Sequence, residues 1–132
     1  MRIAADTNVL LRAAVRDDPK QAISVAHLLR SAESIAISVP ALCEFAWVLR
    51  TSYKRPAPDI AHSIRALITS PNVVTNLPAV EAGLDFLDAG GDFADGVIAF
   101  EGQCLGADEF VSFDKQAVSI LKSQGKRARV LS

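Results

Sequence analysis

Four acidic residues stand where carboxylates can do chemistry: Asp6, Glu44, Asp95 and Asp114. Asp6 ends the apolar run Ile3-Ala4-Ala5, and Asp114 ends Phe110-Val111-Ser112-Phe113. Short apolar runs without alternation read as strands covered on both faces, and the carboxyl ends of strands in open α/β sheets are where ligands bind. Glu44 falls in a helix after a second strand, and Asp95 opens a helix just after Gly90-Gly91. All four can therefore reach one rim of a sheet. Two carboxylates ~5 Å apart repel by roughly 3 kcal/mol at an effective dielectric of 20, so such a gathering calls for a cation. Oxygen donors without His or Cys select a hard ion, Mg²⁺ or alternatively Mn²⁺. That ion can lower the pKa of bound water and neutralise charge on a phosphodiester during in-line attack.

Each acid also has a plainer reading. Asp6 or Thr7 can cap a helix through Val9, Leu10, Leu11 and Ala14. Asp92 reads as the N-cap of the helix that starts at Phe93, with Asp95 at its third position completing a capping-box-like exchange and favouring the dipole. Glu44 sits roughly 40° from Val48 on a helical wheel, at the margin of the stripe formed by Ala41, Leu42, Phe45, Val48 and Leu49. That position is half inside, and the alternative there is a solvated surface glutamate.

The elements that must position these groups follow from period and punctuation. Asp18-Pro19 starts a helix that runs to about Ala32, with Ala22, Val25, Ala26 and Leu29 inward. Ile35-Ala36-Ile37 is a strand, and Ser38 and Pro40 announce the helix that carries Glu44. After the Lys54-to-Pro58 loop, Asp59 caps a helix to about Thr69, and Val73-Val74-Thr75 is a β-branched strand. A helix from Pro78 with Val80, Leu84 and Leu87 inward stops at Gly90-Gly91. Phe93, Val97, Phe100 and Cys104 form the stripe of the next helix, which Gly106 closes. Gln116 to Ser123 is the last helix, Gly125 ends it, and Ala128 to Leu131 is the last strand. Strands alternating with helices imply an α/β fold, three layers deep, whose parallel sheet of about five strands has right-handed crossovers and helices on both faces.

The 132 residues make one domain of ordinary size, half apolar and 22% charged. The most apolar region, Ile35 to Leu49, is broken by Ser38, Pro40 and Glu44, short of the ~20 residues that span a bilayer. Asp6 occupies the place of a secretory apolar region, so the expected location is the cytoplasm. Cys43 and Cys104 read as buried small hydrophobes, not as a disulfide, and His27 and His62 lack zinc-ligand spacing. The net charge of −1 argues against indiscriminate polyanion binding but leaves room for a local basic face. Arg12, Arg16, Arg50, Lys54 and Arg55 are the candidates for such a face, and ordinary solvated surface is the alternative.

In Asp6-Thr7-Asn8-Val9-Leu10-Leu11, Glu44, Asp92-Phe93-Ala94-Asp95 and Phe113-Asp114, in that order and spacing, the chain resembles a PIN-domain ribonuclease of the VapC toxin type. The likeness runs from Arg2 to Leu131, so it implies one PIN domain over residues 1–132. It further implies a Mg²⁺-dependent endoribonuclease, a homodimer, and a VapB-like antitoxin that blocks the site. By position, Asp6 and Asp95 correspond to principal metal ligands, and Glu44 and Asp114 complete the acidic pocket. Asp92 is an auxiliary acid or only the cap. Thr7 and Ser112 correspond to hydroxyls that orient carboxylates or water, although threonine is more usual than Ser112 before the last acid. The substrate implied is single-stranded or looped RNA, which can bend a phosphate into a shallow acidic pocket.

Other classes fit less well. A receiver-like phospho-acceptor needs an acid pair after the first strand, and Thr7-Asn8 follows Asp6. A haloacid-dehalogenase-type phosphatase needs Asp where Asn8 stands. Dinucleotide binding needs a G-x-G-x-x-G turn, which the first strand lacks. A catalytically inactive PIN fold that only binds RNA or protein has no chemical reason to keep all four acids.

Overall fold

A computed structural model describes all residues from Met1 to Ser132. The chain forms two compact units, Met1–Asn76 and Leu77–Ser132. The first runs β1 (Arg2–Ala4), α1 (Thr7–Ala14), α2 (Pro19–Ser31), β2 (Ser34–Ala36), α3 (Val39–Thr51), α4 (Ala57–Ile68) and β3 (Val73–Val74). The second runs α5 (Leu77–Asp88), α6 (Phe93–Cys104), β4 (Phe110–Ser112), α7 (Lys115–Ser123) and β5 (Ala128–Val130). Every strand pair is parallel, as the alternation of strands and helices requires. The five strands pair as a sheet of three, in the order β1-β2-β3, and a sheet of two, β4-β5, where the sequence suggested a single sheet.

In the first unit Ala4, Ala36 and Val74 lie side by side in register. All three are exposed, whereas Ile35 and Ile37 on the opposite face of β2 are buried. The expectation of strands covered on both faces thus fails here: burial alternates with period two even though the residues are uniformly small and apolar. Helix α1 packs on α2 and α3, and α3 on α4. Their core is Leu10, Leu11, Leu42, Phe45, Leu49, Ile60 and Ile64.

Capping follows the sequence closely. Asp18 accepts from the backbone N–H of Gln21 with Pro19 opening α2, and Ser38 accepts from Ala41 ahead of α3. One boundary moves. Helix α4 starts at Ala57 rather than after Asp59, because Pro58 is tolerated in a first helical turn and the chain is already helical there. Asp59 therefore sits inside the first turn, and Pro56 is the cap without a side-chain bond.

In the second unit α5 ends in a Schellman motif. Gly90 is left-handed at φ 85°, its N–H bonds Leu87 O, and the N–H of Gly91 bonds Phe86 O. Phe86, Ala117, Val118, Ile120, Leu121 and Ala128 form the core between α7, α5 and the small sheet. Phe93 and Val97 of α6 are buried as expected, but Phe100 is half-buried and Cys104 exposed. The last turn of α6 has left the core, so its stripe is shorter than its periodicity suggested. The two cysteines are not joined in a disulfide, and Cys43 is half-buried. No helix is long and apolar enough to cross a membrane.

Candidate active site

The first unit offers a rim of polar side chains, of which Asp6 and Ser38 cap helices. Asp6, Ser38 and Asn76 each lie two residues beyond the last paired row of their strand, so three neighbouring parallel strands deliver them at the same level. Asp6 caps α1: its Oδ1 accepts the Val9 N–H at 3.0 Å, and Oδ2 lies outside the cap. A carboxylate can therefore cap with one oxygen and coordinate with the other, so the two readings of Asp6 are not exclusive. Thr7 is the first residue of α1 and half-buried. Glu44 lies six residues past the Ser38 cap, on α3, the helix against which α1 packs. It is exposed rather than half inside, because the buried arc of α3 is centred on Leu42, Phe45, Ala46 and Leu49, away from it.

The second unit repeats the strand, aspartate, helix design. Asp114 lies two residues past β4 and caps α7, its Oδ1 accepting the N–H groups of Gln116 at 2.9 Å and Ala117 at 3.2 Å. Ser112 Oγ in turn accepts the Asp114 N–H at 2.9 Å and fixes the turn, so the hydroxyl ahead of the last acid acts on its backbone. Asp92 caps α6 through the Ala94 N–H at 3.3 Å. The bond goes to the second helical residue, where the N-cap side chain of a capping box would use the third. Asp95 is half-buried in the first turn of α6, where the helix dipole favours a negative charge.

Two positioning features escaped the sequence reading. Gln116 Nε2 donates to Gly90 O at 3.0 Å and ties the start of α7 to the turn that precedes Asp92. Gly96, immediately after Asp95, meets α5 backbone to backbone. A Cβ there would collide with Ala82 O and the Phe86 ring and lie 3.0 Å from the Gly83 Cα. A Cβ on Gly83 would in turn strike the Phe93 ring. The glycine spacing was visible, but which glycines face each other is a matter of helix crossing.

Asp6 and Glu44 belong to the first unit, and Asp92, Asp95 and Asp114 to the second. No group of three or more His, Cys, Asp or Glu side chains that could hold a metal ion is assembled. The chemistry of the donors nonetheless suits a hard divalent cation. Asp6 and Asp114 are exposed carboxylates held rigidly by backbone donors, each with Oδ2 outside its cap. Of the basic candidates, Arg12 is engaged with Asp17 and with Gln21 Oε1, while Arg16, Arg50 and Lys54 are exposed and Arg55 is half-buried. The Tyr53 hydroxyl donates to Asp17 Oδ2 at 3.2 Å, which joins the loop after α3 to the turn after α1 and holds these cations at one end of the unit. A cleft of about 610 Å³ is lined by residues such as Ile98, Gly106, Phe110 and Arg127, at the end of β4 opposite Asp114.

A family model described as PIN domain matches residues 3–121. Among solved structures, the chain is similar to a sarcin-ricin loop cleaving toxin, VapC20 of Mycobacterium tuberculosis, at 15% identity and a TM-score of 0.44, covering 96% of each chain. No curated protein matches in sequence.

Proposed function

The chain belongs to the PIN-domain family, and from that premise we propose that it is a divalent-metal-dependent endoribonuclease of the VapC toxin type. The supporting observation is the repeated rim design, in which Asp6 and Asp114 each stand two residues beyond a parallel strand and spend one oxygen on a helix cap. Asp6, Glu44, Asp95 and Asp114 are the acids assigned to hold Mg²⁺ or Mn²⁺. When bound, that ion supplies an activated water and neutralises charge on the phosphodiester.

The chain's own groups do the rest. The caps at Asp6 and Asp114 lock those carboxylates in one rotamer, so the ligand geometry is set before substrate arrives. Gly96 and the Gln116 latch fix the helix starts that carry Asp95 and Asp114. Ser112 holds the turn into Asp114. The cations at the far ends of α1 and α3 offset the acidic charge for an incoming RNA backbone. The full assignment is one PIN domain over residues 1–132, homodimeric, cytoplasmic and held inactive by a VapB-like antitoxin.

The second reading is a PIN fold that binds RNA or protein without cutting. RNA cleavage decides between them. Wild type should cut single-stranded RNA with millimolar Mg²⁺ and stop when EDTA is added. Metal-independent cleavage, or none across several RNAs and both metals, would sink the nuclease reading.

A further inference from the structure

Trp47 is the only tryptophan of the chain, and 59% of it is exposed on the outer face of α3. Tryptophan carries the largest apolar surface of any side chain, and fold stability gains nothing from leaving most of it in water. Glu44 lies three residues before it and Arg50 three after, both exposed. Residues three apart on a helix are neighbours, so acid, aromatic and cation form one oblique row. The row is about 9 Å long at 1.5 Å per residue. Lys54 and Arg55 extend its positive end in the loop beyond α3. Of the eight aromatic residues, only Trp47 and Phe113 are exposed, and Phe113, 74% exposed in the second unit, directly precedes Asp114. Exposed aromatics thus occur only beside candidate acids.

We propose that the outer face of α3 is a single-strand RNA track, in which Trp47 stacks on a base and Arg50 holds the phosphate that follows it. The inference rests on the nuclease reading and adds a path for its substrate. An aromatic side chain beside a row of cations is the equipment that single-strand binders use, since every base has a π-face and every nucleotide a charge. A length of about 9 Å matches about two to three stacked nucleotides at 3.4 Å each. A protein partner would be served by a broader apolar patch, whereas this row alternates charge with one ring.

Because Trp47 is the sole tryptophan, its fluorescence reports on the face directly. The full chain is titrated in EDTA, which prevents cleavage, with a single-stranded RNA oligonucleotide and with the same backbone carrying abasic positions. The proposal expects saturable quenching by the RNA and little by the abasic strand. Trp47→Ala should weaken binding of labelled RNA by about 5- to 150-fold, as loss of one stacked base does, and Trp47→Phe should recover most of it. Arg50→Ala should reduce the slope of log K against log salt by about 0.7. Both positions are exposed, so unchanged melting of the variants is the folding control. RNA that binds or is cut while Trp47 stays silent overturns the track and leaves the nuclease standing. Fluorescence that follows protein concentration but not RNA overturns it in favour of a protein interface. Absence of both binding and cleavage removes both readings together.

Discussion

The side chain of Gln116 donates to the carbonyl of Gly90 at 3.0 Å, across 26 residues, and this one bond joins the start of α7 to the turn that launches α6. Asp114 caps the first of these helices and Asp92 the second, so the latch couples two acidic helix starts within one unit. Gln116→Ala should cost about 1 kcal/mol of stability, the net worth of an exposed hydrogen bond. It should lower the rate of RNA cleavage more than RNA affinity, because it loosens carboxylates rather than contacts to the strand. Equal kcat in wild type and variant would show that the latch is only structural.

Asp6 separates capping from metal binding by the choice of substitution. Asparagine caps as well as aspartate, so Asp6→Asn should melt at or slightly above wild type without metal, yet lose cleavage and the rise in Tm that Mg²⁺ produces. Asp6→Ala should additionally lose about 1 kcal/mol through the orphaned Val9 N–H. Melting curves with and without millimolar Mg²⁺ read both effects. An unchanged Mg²⁺ response in Asp6→Asn would remove Asp6 from the ligand set.

Gly96 is placed by the backbone of α5 and not by any need for a left-handed conformation. Replacing a helical glycine by alanine gains roughly 1 kcal/mol in propensity, but the new Cβ meets backbone atoms that have no rotamer to yield. The clash should win, with a net loss of about 1 to 2 kcal/mol. Denaturant unfolding measures this, and a Gly96→Ala variant more stable than wild type would refute the close crossing.

Thr75 Oγ1, at the carboxyl end of β3, is buried without a hydrogen-bond partner. Burying an unpaired hydroxyl costs about 1 to 3 kcal/mol, and valine has nearly the same shape without the cost. Thr75→Val should therefore raise the midpoint of thermal unfolding by several degrees. A fall instead would mean that the hydroxyl has a partner in solution.

Features under local physical control could be read from the residues alone. Asp18 before Pro19, Ser38 before Pro40, Gly90 after Leu87 and Asp92 before Phe93 set helix ends through bonds spanning two to five residues, and the structure keeps all four. The acids Asp6 and Asp114 were legible for the same reason, since a short apolar run followed by a polar cap is a local signal for a strand end. Tertiary structure alone decided the exposure of Ala36 and Val74, the emergence of Cys104 from the core, and the division of five strands into three and two. It also decided that Gly83 meets Gly96 and that Gln116 reaches Gly90. Those outcomes depend on which faces of distant segments meet, and a uniformly apolar run such as Ile3-Ala4-Ala5 looks the same whether one of its faces is covered or both. Glu44 marks the boundary between the two kinds of information. Its helix and its angle on the wheel follow from the sequence, but its exposure depends on how α1 and α4 pack against the opposite side of α3.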